Sequence, residues 1–317
     1  MRTAAALVGI GSALFLAACG NQPAPTGDGS AVTETARNTS PAPQAVTGHE
    51  PEIVDLSNEV VLAASPYQRS VQNPVVLCFG PQTAIYPPDC VGPELKGAFS
   101  WADHDVQQEN GITWTDDTVY AIGHYAPEAG EQGTFSLTRP LDPEPPPGYD
   151  TTDWLDTDFT ALCKDPTADI AGVDQAGRTQ GPAGMDEEQA LLTLLRQDLA
   201  GYATSWVSDG GVMNVLLTEG TDLGASRAAI RDVYTGPLCL ENRNVPSDQD
   251  LRAAQDAVAD RSDLRFHSVG SGGTDPRLYV EVVVADQATV DAIYETAAPW
   301  LAPDQIVIVS AVQALQP

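Results

Sequence analysis

The chain has 317 residues, with 44 acidic side chains against 15 basic ones, a formal charge of −29, and 42% hydrophobic residues. So few and so scattered Lys and Arg exclude the clustered cations that nucleic-acid binding requires, and they exclude a polybasic membrane contact. What is left is an acidic, well solvated protein with enough apolar material for two cores.

In chain order the first feature is an export signal. Arg2 supplies a positive start, and Ala4 to Ala18 then run without charge, the pattern of a secretory signal. The run is too short to span a membrane, which takes about 20 apolar residues, and it stops at Cys19-Gly20-Asn21. Leu16-Ala17-Ala18-Cys19 resembles the lipobox of bacterial lipoproteins, in which a diacylglycerol is attached to the cysteine before cleavage. The resemblance implies that residues 1–18 are removed and that a lipid on Cys19 holds the chain to the extracytoplasmic face of the cell membrane. The alternative is an ordinary signal peptide with a cysteine by chance at its cleavage site; cysteine is rare in such apolar runs, and its placement favours the lipid. The mature chain keeps all 44 acids and 14 bases, a formal charge of −30.

After the signal, a two-domain α+β plan is expected. Residues 19–50, rich in Pro, Gly, Thr, Ser and Ala, cannot bury enough surface to offset ordering, which predicts a flexible tether. Residues 51–141 carry short β-type runs broken by Gly and Pro: 59–63, 75–79, 98–101, 111–114, 118–125 and 133–138. They predict a small all-β barrel or sandwich. Residues 142–185 read as a Pro-rich, irregular connection in which Pro143-Glu144-Pro145-Pro146-Pro147 is extended.

From 186 to 317 the period becomes helical and an α/β domain is expected. Leu191, Leu195, Leu199 and Tyr202 recur at helical spacing. Residues 212–217 read as a strand, Leu223, Ile230 and Val233 as a helix, and 238–240 as a strand. Ser247 with Asp250 forms a capping box before Leu251, Ala254 and Val258. Strand 264–269 turns through Gly270-Ser271-Gly272-Gly273 into 278–284; Asp286 caps a helix carrying Val290, Ile293 and Ala297, and 306–312 is the last strand. Residues 212–240 and 278–309 both read strand, helix, strand, which predicts a duplicated βαβ unit.

The cysteines beyond Cys19 form an even set of four, so outside the membrane two disulfides are expected. Three pairings are possible. Cys78 with Cys90 and Cys163 with Cys239 is favoured because the first two share one compact segment. The rival is a four-cysteine zinc site, but no pair has the close spacing such sites use. The segments Leu77-Cys78-Phe79-Gly80, Tyr86 to Pro93, Gly111 to Trp114, Gly133 to Thr138, Cys163 to Pro166 and Gly236 to Cys239 resemble a family of actinobacterial secreted lipoproteins. That resemblance supports the same disulfide pairing and the two-domain plan, and implies no catalytic residue.

No reactive constellation stands out, and neither a metal nor a cofactor is expected. His49, His104, His124 and His267 are far apart. Gly270 to Gly273 lacks the lysine and the following helix of a phosphate loop. There is no Gly-x-Ser-x-Gly or Ser-x-x-Lys. Asp150, Asp153, Asp156 and Asp158 match no EF-hand spacing and read as a solvated loop. Trp101, Trp114, Trp154, Trp206 and Trp300 read mostly as core or interface residues. The functional expectation is a non-enzymatic binding or accessory module of the cell envelope with a protein or cell-wall partner. The alternative is a hydrolase of cell-wall material working through carboxylates such as Asp209 and Glu219.

Overall fold

The β-branched and aromatic runs of the first half form short strands: β1 (Val60–Gln68), β2 (Val76–Cys78), β3 (Glu94–Lys96), β4 (Gln107–Glu109), β5 (Ile112–Trp114), β6 (Val119–Ala126) and β7 (Thr134–Leu137). In this computed structural model the described residues are 50–79, 86–130, 132–150, 158–168 and 185–316, all within one compact unit, 46–317. Strands β1, β2, β3, β7 and β6 hydrogen-bond in a ring that β6 closes back onto β1. Such closure leaves no free edge among these five and encloses Leu62, Leu77, Ala121, Tyr125 and Phe135. Strand β1 is long enough to serve two neighbourhoods. Its first half lies between β6 and a C-terminal strand, its second between β2 and β5.

One expectation in this half is overturned. Residues 98–101 do not form a strand: Gly97 has φ +112°, and Ser100 Oγ accepts from the Ala102 N–H to start a 3-10 turn over Trp101–Asp103. The strands β3 and β4 flank this turn instead. Strand β4 joins β5 through Asn110 and Gly111, both with positive φ (53° and 83°), the backbone that a two-residue hairpin requires.

The second half contains α1 (Met185–Thr193), continued by a π-helical turn over Leu194–Asp198, then β8 (Tyr202–Ser208), β9 (Val212–Thr218), α2 (Leu223–Arg231) and β10 (Leu238–Arg243). There follow α3 (Asp248–Ala259), β11 (Phe266–Gly272), β12 (Arg277–Val284), α4 (Gln287–Ala297) and β13 (Ile306–Ala314). Tyr202 opens a strand rather than closing the helix. The helical path ends at Leu199, whose backbone is extended (φ −83°, ψ 111°); Gly201, at φ +69°, then turns the chain into β8, and a Cβ there would lie 2.2 Å from Thr221 Oγ1.

The order is helix, strand, strand, helix, strand, twice over. Strand β8 is antiparallel to β9 and β9 parallel to β10; likewise β11 is antiparallel to β12 and β12 parallel to β13. Both βαβ crossovers expected from the sequence are present, each within a larger αββαβ repeat. Helix starts follow from their caps. Asp222 accepts from the Gly224 and Ala225 N–H groups, Ser247 from Asp250, and Asp286 from Thr289. In each repeat both helices cover one sheet face. Leu191, Leu195 and Ile230 pack on Val215 and Leu217; Leu251, Val258 and Ile293 pack on Leu278, Val280 and Ile308. Burying one such side chain contributes about 1.5–3 kcal/mol.

The two repeats end differently. Strand β13 pairs antiparallel with β1 (Val60 opposite Ala314, Leu62 opposite Val312), so the second sheet runs directly into the barrel. In the first repeat, residues 158–168 lie as a strap over the sheet face away from the helices. Trp206 Nε1 donates to Thr160 O (3.0 Å), the Leu162 N–H to Asn214 Oδ1 (2.8 Å) and the Leu238 N–H to Pro166 O (2.9 Å).

Candidate functional site

Both disulfides sit where they close segments that short strands alone hold weakly. Cys78, on β2, is bonded to Cys90, with Cα atoms 5.8 Å apart, beside Tyr67 and Trp114. Cys163 in the strap is bonded to Cys239 on β10, with Cα atoms 5.4 Å apart. Loop-entropy reasoning puts the worth of such links at about 2–4 kcal/mol each. Paired thiols of this kind persist in oxidising compartments outside the cytoplasm. Among the described residues no helix is long and apolar enough to cross a membrane. Cys19 and the tether up to residue 49 lie outside the described residues, as do Asp153, Trp154 and Asp156.

The histidines are dispersed. His104 stacks on Phe99 at 5.3 Å, His267 lies against Phe79 at 5.3 Å, and His124 is exposed on β6 opposite Ser136. Trp114 and Trp206 are buried, Trp101 Nε1 donates to Gln68 Oε1, and Trp300 is 39% exposed. Among the described residues no three His, Cys, Asp or Glu side chains are grouped as a metal site would require. Asp209 and Glu219 flank opposite ends of β9. Seven residues at about 3.3 Å each hold them about 20 Å apart, so they cannot act on one bond.

What the fold does bring together is a cleft of about 560 Å³ where the two repeats meet. Strands β8 and β11 are terminal strands of their sheets, and Thr204 Oγ1 of β8 donates to Gly273 O beyond β11 at 2.8 Å. Helix α3 lies across both strands. The polar walls are Arg196 from the π-helical turn, Tyr202 and Ser205 from β8, Arg252 and Gln255 from α3, and Ser271 from β11. Asp248 and Asp256 complete the α3 side.

These groups are partly engaged with one another. Tyr202 Oη and Ser205 Oγ share a hydrogen bond of 2.9 Å. Arg252 Nε donates to Asp248 Oδ2 at 2.8 Å, and Ser271 Oγ to Gln255 Oε1 at 3.1 Å. Burial pushes the Tyr202 hydroxyl above the usual phenol range; the Ser205 hydrogen bond and the charges of Arg196 and Arg252 pull the other way, while Asp248 adds to the rise. Tyr202 therefore stays protonated at neutral pH. The two carboxylates stand eight residues apart on one helix, about 12 Å along its axis, wider than the about 5–9.5 Å of glycoside-cleaving pairs.

A second hollow, of about 550 Å³, opens on the barrel beside Phe99 and Leu141, with Asp103, Asp105, Asp117 and His104 on its walls. No motif in the sequence marks either hollow. For the cleft, the only visible signals were the i,i+4 spacing of Asp248 and Arg252 and the turn-forming glycines 270–273. Set against known proteins, the chain matches no family model and no curated sequence.

Proposed function

We propose that the chain is an extracytoplasmic binding module of the cell envelope, held to the membrane by a lipid on Cys19 and belonging with the secreted lipoproteins its motifs resemble. The single observation that carries the binding reading is the cleft between the repeats. It is large enough for a small polar ligand, and its donors and acceptors come from four elements, the π-helical turn, β8, α3 and β11. Its carboxylates are spaced too widely for a cleaving pair, and one already holds Arg252. The anchoring reading rests on the lipobox, on the uncharged run before it, and on two disulfides in the body that follows.

Fractionation of cells producing the wild type and Cys19→Ala tests the anchor. The wild type is expected in the membrane fraction and the variant in the medium or as uncleaved precursor; equal distribution contradicts it. Incubation with purified cell-wall material tests the binding role. Retention without release of fragments is expected, whereas release abolished by Asp248→Asn with Asp256→Asn contradicts it.

A further inference from the structure

We propose that the cleft between the two repeats binds a neutral, hydroxyl-rich ligand, a short glycan. This rests on the reading of the cleft as the binding site and adds the chemistry of its occupant. Two guanidinium groups, Arg196 and Arg252, and two carboxylates, Asp248 and Asp256, line the same space. Their formal charges cancel, so the walls select neither an anion nor a cation by net charge. A chain at −30 after loss of residues 1–18 further disfavours an anionic ligand through long-range repulsion.

The cleft instead offers donors and acceptors side by side. Arg252 uses its Nε on Asp248, which leaves both terminal NH2 groups to donate. Gln255 accepts from Ser271 through Oε1, which leaves its amide NH2 to donate. Asp256 supplies acceptor oxygens, and the Tyr202 and Ser205 hydroxyls can do either. A ligand that satisfies such a set carries alternating donors and acceptors on a compact frame, as the vicinal hydroxyls of a sugar do. Leu192 and the half-buried ring of Tyr202 provide apolar surface for its C–H groups. Because the walls come from both repeats, an occupant touches both at once.

Calorimetric titration of the mature chain, with both disulfides intact, uses chitotriose, cellotriose and maltotriose as neutral probes, and trialanine and citrate as charged ones. At least one neutral trisaccharide is expected to bind more tightly than about 1 mM. Arg196→Ala and Gln255→Ala, both at solvent-accessible positions, are expected each to weaken it about five- to tenfold. Circular dichroism of the variants guards against loss of fold. Binding of trialanine or citrate alone, weakened by the same two substitutions, overturns the glycan assignment and leaves the cleft as the site. Failure of every probe, or trisaccharide binding that neither substitution changes, overturns both.

Discussion

The two αββαβ repeats share element order and strand directions, yet they are supported by different means. The second has fourteen buried residues in its core and its last strand is continued by the barrel; the first has seven and no barrel strand beside it. Its open sheet face is covered by a strap of irregular chain, fixed by Cys163–Cys239 and by the fully buried Asn214, which accepts from the strap's Leu162 N–H. One topology is thus held in two ways: a barrel strand continues the last edge in one case, and a cross-linked strap with a buried amide covers the open face in the other. Short-range patterning sets up each unit, and long-range contacts decide how firmly it holds.

That contrast can be broken most forcefully at the cores and the strap. Ile230→Ala in the first repeat and Ile293→Ala in the second each remove a fully buried side chain and are expected to cost about 2–5 kcal/mol. The larger loss of hydrogen-exchange protection is expected within the mutated repeat. Replacing Cys163 and Cys239 together by Ser is expected to cost about 2–4 kcal/mol in chemical denaturation, with exchange rising in β8–β10 and not in β11–β13. Asn214→Ala leaves the Leu162 N–H without its acceptor and is expected to cost about 1–3 kcal/mol. The second repeat has no such buried amide to lose.

Smaller effects sharpen the comparison where the repeats are alike. Asp222→Ala and Asp286→Ala remove equivalent caps and are each expected to lower stability by about 1 kcal/mol. In the turn after α3, Arg261 grips Asp263 through two hydrogen bonds of 2.8 and 2.7 Å and holds its carboxyl down at about 2. The folded state therefore favours the carboxylate. That contribution is present at neutral pH and is lost as pH falls from the ordinary carboxylate range through about 2. An NMR titration is expected to show the low midpoint, and Arg261→Ala to return it to the ordinary range.

Much of this architecture was legible because its signals are local. The caps Ser247 and Asp286, the apolar spacing at Leu251, Ala254 and Val258, and the two βαβ patterns each depend on residues a few positions apart. Strand β8 was hidden because Tyr202 continues the helical spacing of Leu191, Leu195 and Leu199, and only the backbone shows the break, extended at Leu199 and with positive φ at Gly201. Strands β3 and β4 are short and largely polar, and pairing rather than propensity makes them strands, β3 with the distant β7 and β4 in a hairpin with β5. The cleft was illegible for the same reason, since its walls come from separate elements and no motif marks them.

The most direct test of a lipid-anchored, doubly cross-linked module is the intact mass of the native protein extracted from membranes, before and after thiol reduction. The expected result is a chain beginning at Cys19, heavier by a diacylglycerol group with or without a further acyl chain. Reduction is expected to add four hydrogens, two for each disulfide. A chain without lipid, or one whose mass reduction leaves unchanged, would contradict these expectations.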